Sequence, residues 1–264
     1  MIRPSALFLS ALTLAIASIG LTAPAQAQSA EELAKANNPL ASMTAFNLQN
    51  YYVPTLYGLP DSKANTFWFR YAKPIFNGKV LVRASLPLGT VPTAARDPKS
   101  GIGDFNIIGF YLAVSKPTST FGIGPILAAP TASENALGTG KWQTGVAMVA
   151  FKVLSPQIQL GGLLTGQWSV GGDEDRADTG IVAVQPFMFV QLGGGTYLRT
   201  AALWFYNLET DDYNIPFGFG IGKVVKVGNV VYNIFFEPQF TVLHEGVGQP
   251  ALQVFSGLNL QFAN

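Results

Sequence analysis

From Met43 onward the chain is written in period two, and that alternation constrains its fold more than any other feature. Over Gln157–Gly171, Gln157, Gln159, Gly161, Leu163, Thr165, Gln167 and Ser169 share one face, and Ile158, Leu160, Gly162, Leu164, Gly166, Trp168 and Val170 share the other. In Lys79–Leu88, Val80, Val82, Ala84 and Leu86 alternate with Lys79, Leu81, Arg83 and Ser85. Near the end, Leu252, Val254, Leu258, Leu260 and Phe262 alternate with Gln253, Asn259 and Gln261. Successive side chains of a strand point to opposite faces, so this pattern predicts strands. Twelve such segments follow: 44–56, 65–74, 79–89, 101–115, 119–130, 141–154, 157–171, 178–192, 195–207, 214–227, 229–243 and 249–262. Most reach the nine to eleven residues that a tilted strand needs to cross a bilayer.

Alternation alone does not say which face meets water. A soluble barrel would put its apolar face inside. Composition decides for the reverse. The chain is 48% hydrophobic and only 12% charged, against about 25% charged in a typical soluble domain. No stretch beyond residue 27 holds 18 consecutive apolar residues, so a helical membrane protein does not fit. A transmembrane β-barrel does, because lipid-facing and lumen-facing residues alternate and never form a long apolar run. The expected fold is therefore all-β: a closed transmembrane antiparallel β-barrel of 12 strands. So apolar and weakly charged a chain is not disordered. The absence of Cys rules out a disulfide scaffold and a Cys-ligated metal. A net charge of +1 gives no basis for nucleic-acid binding.

Delivery points the same way. Arg3, the apolar stretch Ala6–Leu21 and the small-x-small triplet Ala25-Gln26-Ala27 make a secretory signal over residues 1–27. The predicted organisation is this signal, a periplasmic N-terminal segment over 28–43 with helical character at Ser29–Asn37, and a barrel over 44–264. The sequence does not choose whether that segment stays in the periplasm or plugs the lumen. The expected location is the outer membrane of a Gram-negative bacterium, after cleavage near Ala27. The expected partners are outer-membrane lipid and lipopolysaccharide, the barrel-assembly machinery and a small-molecule solute.

The connections alternate too. The first, third, fifth and later odd ones are long and hold Asp61, Asp97, Glu134, Asp173, Glu174, Asp175, Glu209, Asp211, Asp212 and Glu245. The even ones are tight and rich in Gly, Pro and Asn. Long outer loops and short periplasmic turns are what such barrels show. Pro87, Pro125, Pro186, Pro216 and Pro238 fall within the predicted strands. Proline removes a ladder donor, so bulges are expected there. Glycines within strands are read as kinks at barrel corners. Trp168 and Trp204 near the outer ends, with Tyr232 and Phe262 near the inner ends, predict an aromatic girdle.

Arg70, Arg83, Asp104, Arg199 and Glu237 alternate away from the lipid-facing sets. A lipid-facing Arg or Lys at the midplane costs about 2–4 kcal/mol, which places these charges in the lumen. They are candidates for a selectivity constriction, or for an ion-pair network that holds the interior together. Twelve strands lie between eight, which side chains fill, and sixteen, which leave a channel, so a passage would be narrow. Lys223 falls on the apolar face near the periplasmic rim, where it could snorkel. Asp173 and Asp175 are a weak candidate for Ca²⁺, lacking EF-hand spacing; a solvated hairpin loop is the simpler reading. Gly138–Lys141 lacks the full phosphate-loop pattern. The lone His244 with Ser256 would suggest a hydrolase, but Ser256 shares a face with Val254 and Leu258. The reading is not an enzyme, and no cofactor is called for.

Several motifs together resemble a bacterial outer-membrane family, many of whose members are described as transporters: the family named for the MetA pathway of phenol degradation. They are Glu32-Leu33-Ala34-Lys35 with Asn38-Pro39-Leu40-Ala41-Ser42, Gly101-Ile102-Gly103-Asp104, Gly122-Ile123-Gly124-Pro125 and Pro130-Thr131-Ala132. Leu137-Gly138-Thr139-Gly140-Lys141-Trp142, Trp168–Asp173, Gln185-Pro186-Phe187 and Gly218–Val224 complete the set. The run ending at Trp142 is the most specific. The resemblance covers nearly the whole mature chain and implies an outer-membrane barrel, without a defined substrate. The chain departs from such barrels at its end, where Ala263 and Asn264 follow Phe262. The expected function is a channel or transporter for small, aromatic or hydrophobic solutes through a narrow charged lumen. The alternative is a structural or adhesive barrel with a filled lumen.

Overall fold

A strand buries one face and leaves its edges unpaired, so a sheet of alternating segments is complete only when its first and last strands meet. They do so here. The computed structural model describes residues 36–93 and 97–262; the signal region and residues 28–35 lie outside these. The strands are β1 (Thr44–Leu56), β2 (Ala64–Ile75), β3 (Val80–Val91), β4 (Lys99–Ile102 and Phe105–Lys116), β5 (Ser119–Ala129) and β6 (Lys141–Val153). They continue with β7 (Ile158–Gly172), β8 (Gly180–Gly193), β9 (Thr196–Thr200 and Trp204–Asn207), β10 (Tyr213–Gly218 and Gly220–Val227), β11 (Val230–Glu245) and β12 (Pro250–Phe262). Each pairs antiparallel with its neighbours. β1 meets β12 from Thr44↔Phe262 to Tyr52↔Val254, so the sheet closes into a 12-stranded barrel. No described helix is long and apolar enough to cross a membrane.

The face assignments follow the alternation. On β7, Gln159 is fully buried while Ile158, Leu160, Leu164, Trp168 and Val170 are exposed on the outside. On β3, Leu81 and Ser85 are buried within. Outward apolar exposure of this extent is tolerable only against hydrocarbon, since soluble monomers rarely expose large contiguous apolar patches.

The short connections lie at the end where β1 begins and β12 finishes. Gly193, Gly194 and Gly195 make the β8–β9 turn with φ of 95°, 57° and 81°; three left-handed residues in a row need glycine. At this end the ammonium of outward-facing Lys223 donates to the Gly194 carbonyl at 2.7 Å.

The five prolines at which bulges were expected sit where a ladder is interrupted. The two pieces of β4 are separated opposite Pro87, and Gly109 and Phe110 of β4 are skipped opposite Gly124 and Pro125. Residues 201–203 of β9 leave the ladder opposite Pro186. Pro216 marks a register shift against β11, and Phe219 splits β10 where its amide bonds to the carbonyl of Pro238. A residue without an amide hydrogen leaves its neighbour's carbonyl unpaired, and the neighbour bends away.

Many strand glycines have a different role from the expected corner kinks. A Cβ on Gly222 would lie 2.2 Å from the Tyr197 ring, one on Gly161 2.5 Å from Phe187, and one on Gly257 2.6 Å from Phe235. These lumenal glycines clear space for aromatic rings that fill the barrel from the adjoining wall.

Candidate functional site

The interior is layered. At the outer mouth Asp104, in the gap between the two pieces of β4, accepts from the amides of Ala132 at 3.2 Å and Thr139 at 2.7 Å and from the Thr139 hydroxyl at 3.0 Å. It ties down the 130–140 loop. Arg176 holds the same loop from the other side, donating to the carbonyls of Gly138 at 2.6 Å and Asn135 at 2.9 Å. Lys141 points inward and reaches Asp178 at 3.4 Å. The Ser169 hydroxyl first, and then the Lys141 ammonium, hold the Asp178 carboxyl below the usual carboxylate range.

Below the mouth lies a buried polar band. Arg199 Nε meets Glu237 at 2.6 Å, with the two side chains 7% and 0% exposed. Glu237 also accepts from the amide of Ala201 at 2.8 Å and from Gln239 at 2.9 Å, and Gln253 donates to Gln239 at 2.7 Å. Gln185 donates to the Ala201 carbonyl at 2.8 Å. Where β9 leaves its ladder, lumenal side chains thus take over both backbone groups of Ala201. The Arg199 guanidinium lies 3.7 Å from the centre of the Phe235 ring and 5.2 Å from that of Phe255, close enough for cation–π attraction. Tyr51 stacks on Phe255 at 4.3 Å.

Next comes a cavity of about 170 Å³, lined by Arg70, Arg83 and Arg199 together with Phe110, Phe187 and Phe189. The Arg70 guanidinium donates to Gln49, lies 4.6 Å over the Trp68 ring, and through Gln49 connects to Asn259. Arg83 lies 5.7 Å over Phe110, and its buried Nε has no hydrogen-bond partner.

The cavity is floored by the chain's own N-terminal segment. Residues 36–41 line it from below. Leu40 is 1% exposed, and the wall grips its neighbours through Asn233 to Ala36 and Asn37 at 3.1 Å, Gln261 to Ala36 at 2.9 Å and Thr120 to Asn38 at 3.2 Å. The described part of the segment expected over 28–43 therefore enters the lumen rather than staying in the periplasm. The helical character expected at Ser29–Asn37 falls largely outside the described residues; the destination of residues 36–41 was not legible in the sequence.

Of the five expected lumen charges, the fold brings Arg70, Arg83 and Arg199 to one cavity. Glu237 stands just above it on Arg199, and Asp104 lies apart at the mouth. Sequence reasoning missed the aromatic lining, Tyr51, Phe110, Phe187, Phe189, Phe235 and Phe255. Alternation put these rings on the same face as the charges, and that was the available signal.

Trp168, Trp204 and Phe262 are exposed on the outside, and Tyr232 is half-buried there. Trp168 stands near the mouth end and Tyr232 and Phe262 near the turn end. Asp173 accepts from the Asp175 amide at 3.0 Å in a hairpin loop, and no three His, Cys, Asp or Glu side chains among the described residues converge on a metal position. His244 stacks on Tyr57 at 3.6 Å. Ser256 pairs with Phe236, eight positions along β11 from His244. That is about 26 Å at ~3.3 Å per residue, so the fold does not bring the two together.

No protein-family model matches the chain, and no curated protein matches it in sequence. Solved structures do match. The COG4313 outer membrane channel from Pseudomonas putida F1 superposes with a TM-score of 0.63 at 14% identity, over 83% of this chain and 96% of that one. The NanC porin superposes with a TM-score of 0.54 at 9% identity, over 83% of this chain and 100% of that one. The chain shares the outer-membrane β-barrel fold.

Proposed function

We propose that this protein is an outer-membrane channel for small solutes with an aromatic or hydrophobic body, reached through a narrow charged lumen. Its motifs resemble those of the family named for the MetA pathway of phenol degradation, which supports this reading. In this reading the signal is removed near Ala27, and the barrel-assembly machinery inserts the rest among lipid and lipopolysaccharide. The function of the structural neighbours, a channel and a porin, fits the same assignment.

One observation carries the proposal. The cavity is closed at the turn end by residues 36–41, which the wall holds through a few side-chain hydrogen bonds and the buried Leu40. A barrel built only to be a rigid surface body would have no use for a cavity closed by a segment that is not part of its wall. The test is single-channel conductance in planar bilayers, comparing the mature chain with one lacking residues 28–41. The mature chain should conduct weakly and the truncated one clearly more. Absence of discrete conductance from both defeats the proposal.

A second reading has its own support. The Arg199–Glu237–Gln239–Gln253 network is fully or nearly buried and runs along the lumenal face of β9, β11 and β12 above the cavity. A non-transporting structural or adhesive barrel would be filled in this way. It predicts no conductance even after truncation.

A further inference from the structure

We infer that the cavity is a binding site for a small monoanion built on one ring, a benzoate-type carboxylate, with its charge held between Arg70 and Arg83. The inference deepens the channel reading and rests on it for the solute's route, though not for binding itself.

Charge is the first ground. Arg70, Arg83 and Arg199 line the cavity, and among the described residues no carboxylate does. Glu237, the one described acid within the lumen below the mouth, is committed to Arg199, the Ala201 amide and Gln239. Arg70 and Arg83 therefore face the cavity without a counter-charge.

Register is the second. Arg70 stands opposite Ser85, and Arg83 opposite Ala72, so the two arginines are diagonal neighbours on the lumenal face of β2 and β3. Such positions lie about 7–8 Å apart, within reach of long side chains. Two like charges there repel, and an anion between them reverses the sign of the interaction. Each guanidinium is already laid on a ring, Arg70 on Trp68 and Arg83 on Phe110. Their forks are thus held in place for a carboxylate.

Unmet hydrogen bonding is the third. Arg83 Nε and Asn37 Nδ2 are buried donors without a partner, and both residues line this cavity. Buried polar atoms are nearly always paired. Two donors that are not, on one void, mark a place for an acceptor group such as a carboxylate.

Size and lining set the rest of the ligand. The cavity holds about 170 Å³, close to the ~150 Å³ apolar cavity that accepts benzene and below the ~300 Å³ at which drug-sized sites begin. Phe110, Phe187, Phe189 and Leu40 supply the apolar wall. One ring with one carboxylate fits both the volume and the chemistry.

The test is calorimetric titration of the detergent-purified mature chain with sodium benzoate, benzyl alcohol and sodium acetate, alongside benzoate influx into proteoliposomes. Benzoate should bind at least about 10-fold tighter than either control, as expected when a charge-assisted hydrogen bond or the ring contact is lost. R70Q/R83Q should weaken benzoate by about 10-fold or more, while R70K/R83K should keep most of the affinity. Heat-modifiable gel mobility checks that each barrel is folded, and the lysine variant separates loss of charge from loss of fold. Benzyl alcohol binding as tightly as benzoate, or R70Q/R83Q binding benzoate unchanged, overturns the inference. Benzoate binding without influx leaves the anion site standing and removes the channel reading. Influx that persists unchanged in R70Q/R83Q leaves the channel standing and removes the site.

Discussion

Glu237 is the residue on which most of the interior depends. It accepts from Arg199, from the Ala201 amide and from Gln239, and no part of it reaches solvent. Breaking a buried ion pair by removing one partner strands the other charge and costs about 3–5 kcal/mol. Glu237→Ala should lose stability of that order and also strand the Ala201 amide, where β9 has no ladder partner. Urea unfolding in detergent would read this. The double change Arg199→Met with Glu237→Leu should recover much of the loss, because an apolar pair needs no compensation for desolvation. A double variant no more stable than Glu237→Ala would show that the Ala201 amide, not the ion pair, carries the cost. Period-two alternation sufficed to put Arg199 and Glu237 on the lumenal face. Nothing in it said that they touch, since 38 residues separate them in the chain.

At the level of strands, prolines and glycines carry the information that alternation does not. The bulges expected at Pro87, Pro125, Pro186, Pro216 and Pro238 were legible because the missing donor is a local property. The rings beside Gly222, Gly161 and Gly257 were not legible at those glycines, because each ring stands on the neighbouring strand. Gly222→Val should push against the Tyr197 ring and cost about 1–3 kcal/mol of overpacking. Tyr197→Ala in the same chain should relieve that strain, which melting temperatures of the single and double variants would show. Additive losses would mean the ring does not occupy the space beside Gly222. The outer loops make a second prediction. The Asp178 carboxyl is lower in the folded state than free, held first by Ser169 and then by Lys141. Its contribution is therefore present above the ordinary carboxylate value and is lost as pH falls through the lowered one. Hydrogen-exchange protection near residues 173–179, taken relative to the free-amide rate at each pH, should fall on acidification in the native chain and be already low in Asp178→Asn. Equal acid response in both would remove Asp178 from the account.

For the whole molecule, the lumen is divided by chemistry: loops and Lys141 at the mouth, a glutamine and ion-pair band, an arginine and aromatic cavity, and the N-terminal segment below. A solute would meet polar groups first and the ring-lined, positively charged chamber after them. The conductance gain on removing residues 28–41 belongs to this scale, because only the closed barrel makes the segment a floor. The resemblance that extends from Glu32 through Val224 implied the same barrel that alternation and charge content predict, and added the channel reading. Structural likeness at 14% identity supports the fold alone.

The chain by itself determined strand number, which face looks outward and which end holds the long loops. These depend on local facts: side-chain alternation, turn residues and the scarcity of charge. Only the tertiary structure decided that three arginines share one cavity, that one acid neutralises just one of them, and that residues 36–41 turn into the barrel. Closure joins strands more than two hundred residues apart, as in Gln49 to Asn259, and a period-two pattern carries the side on which a residue lies but not the neighbour it meets across the lumen.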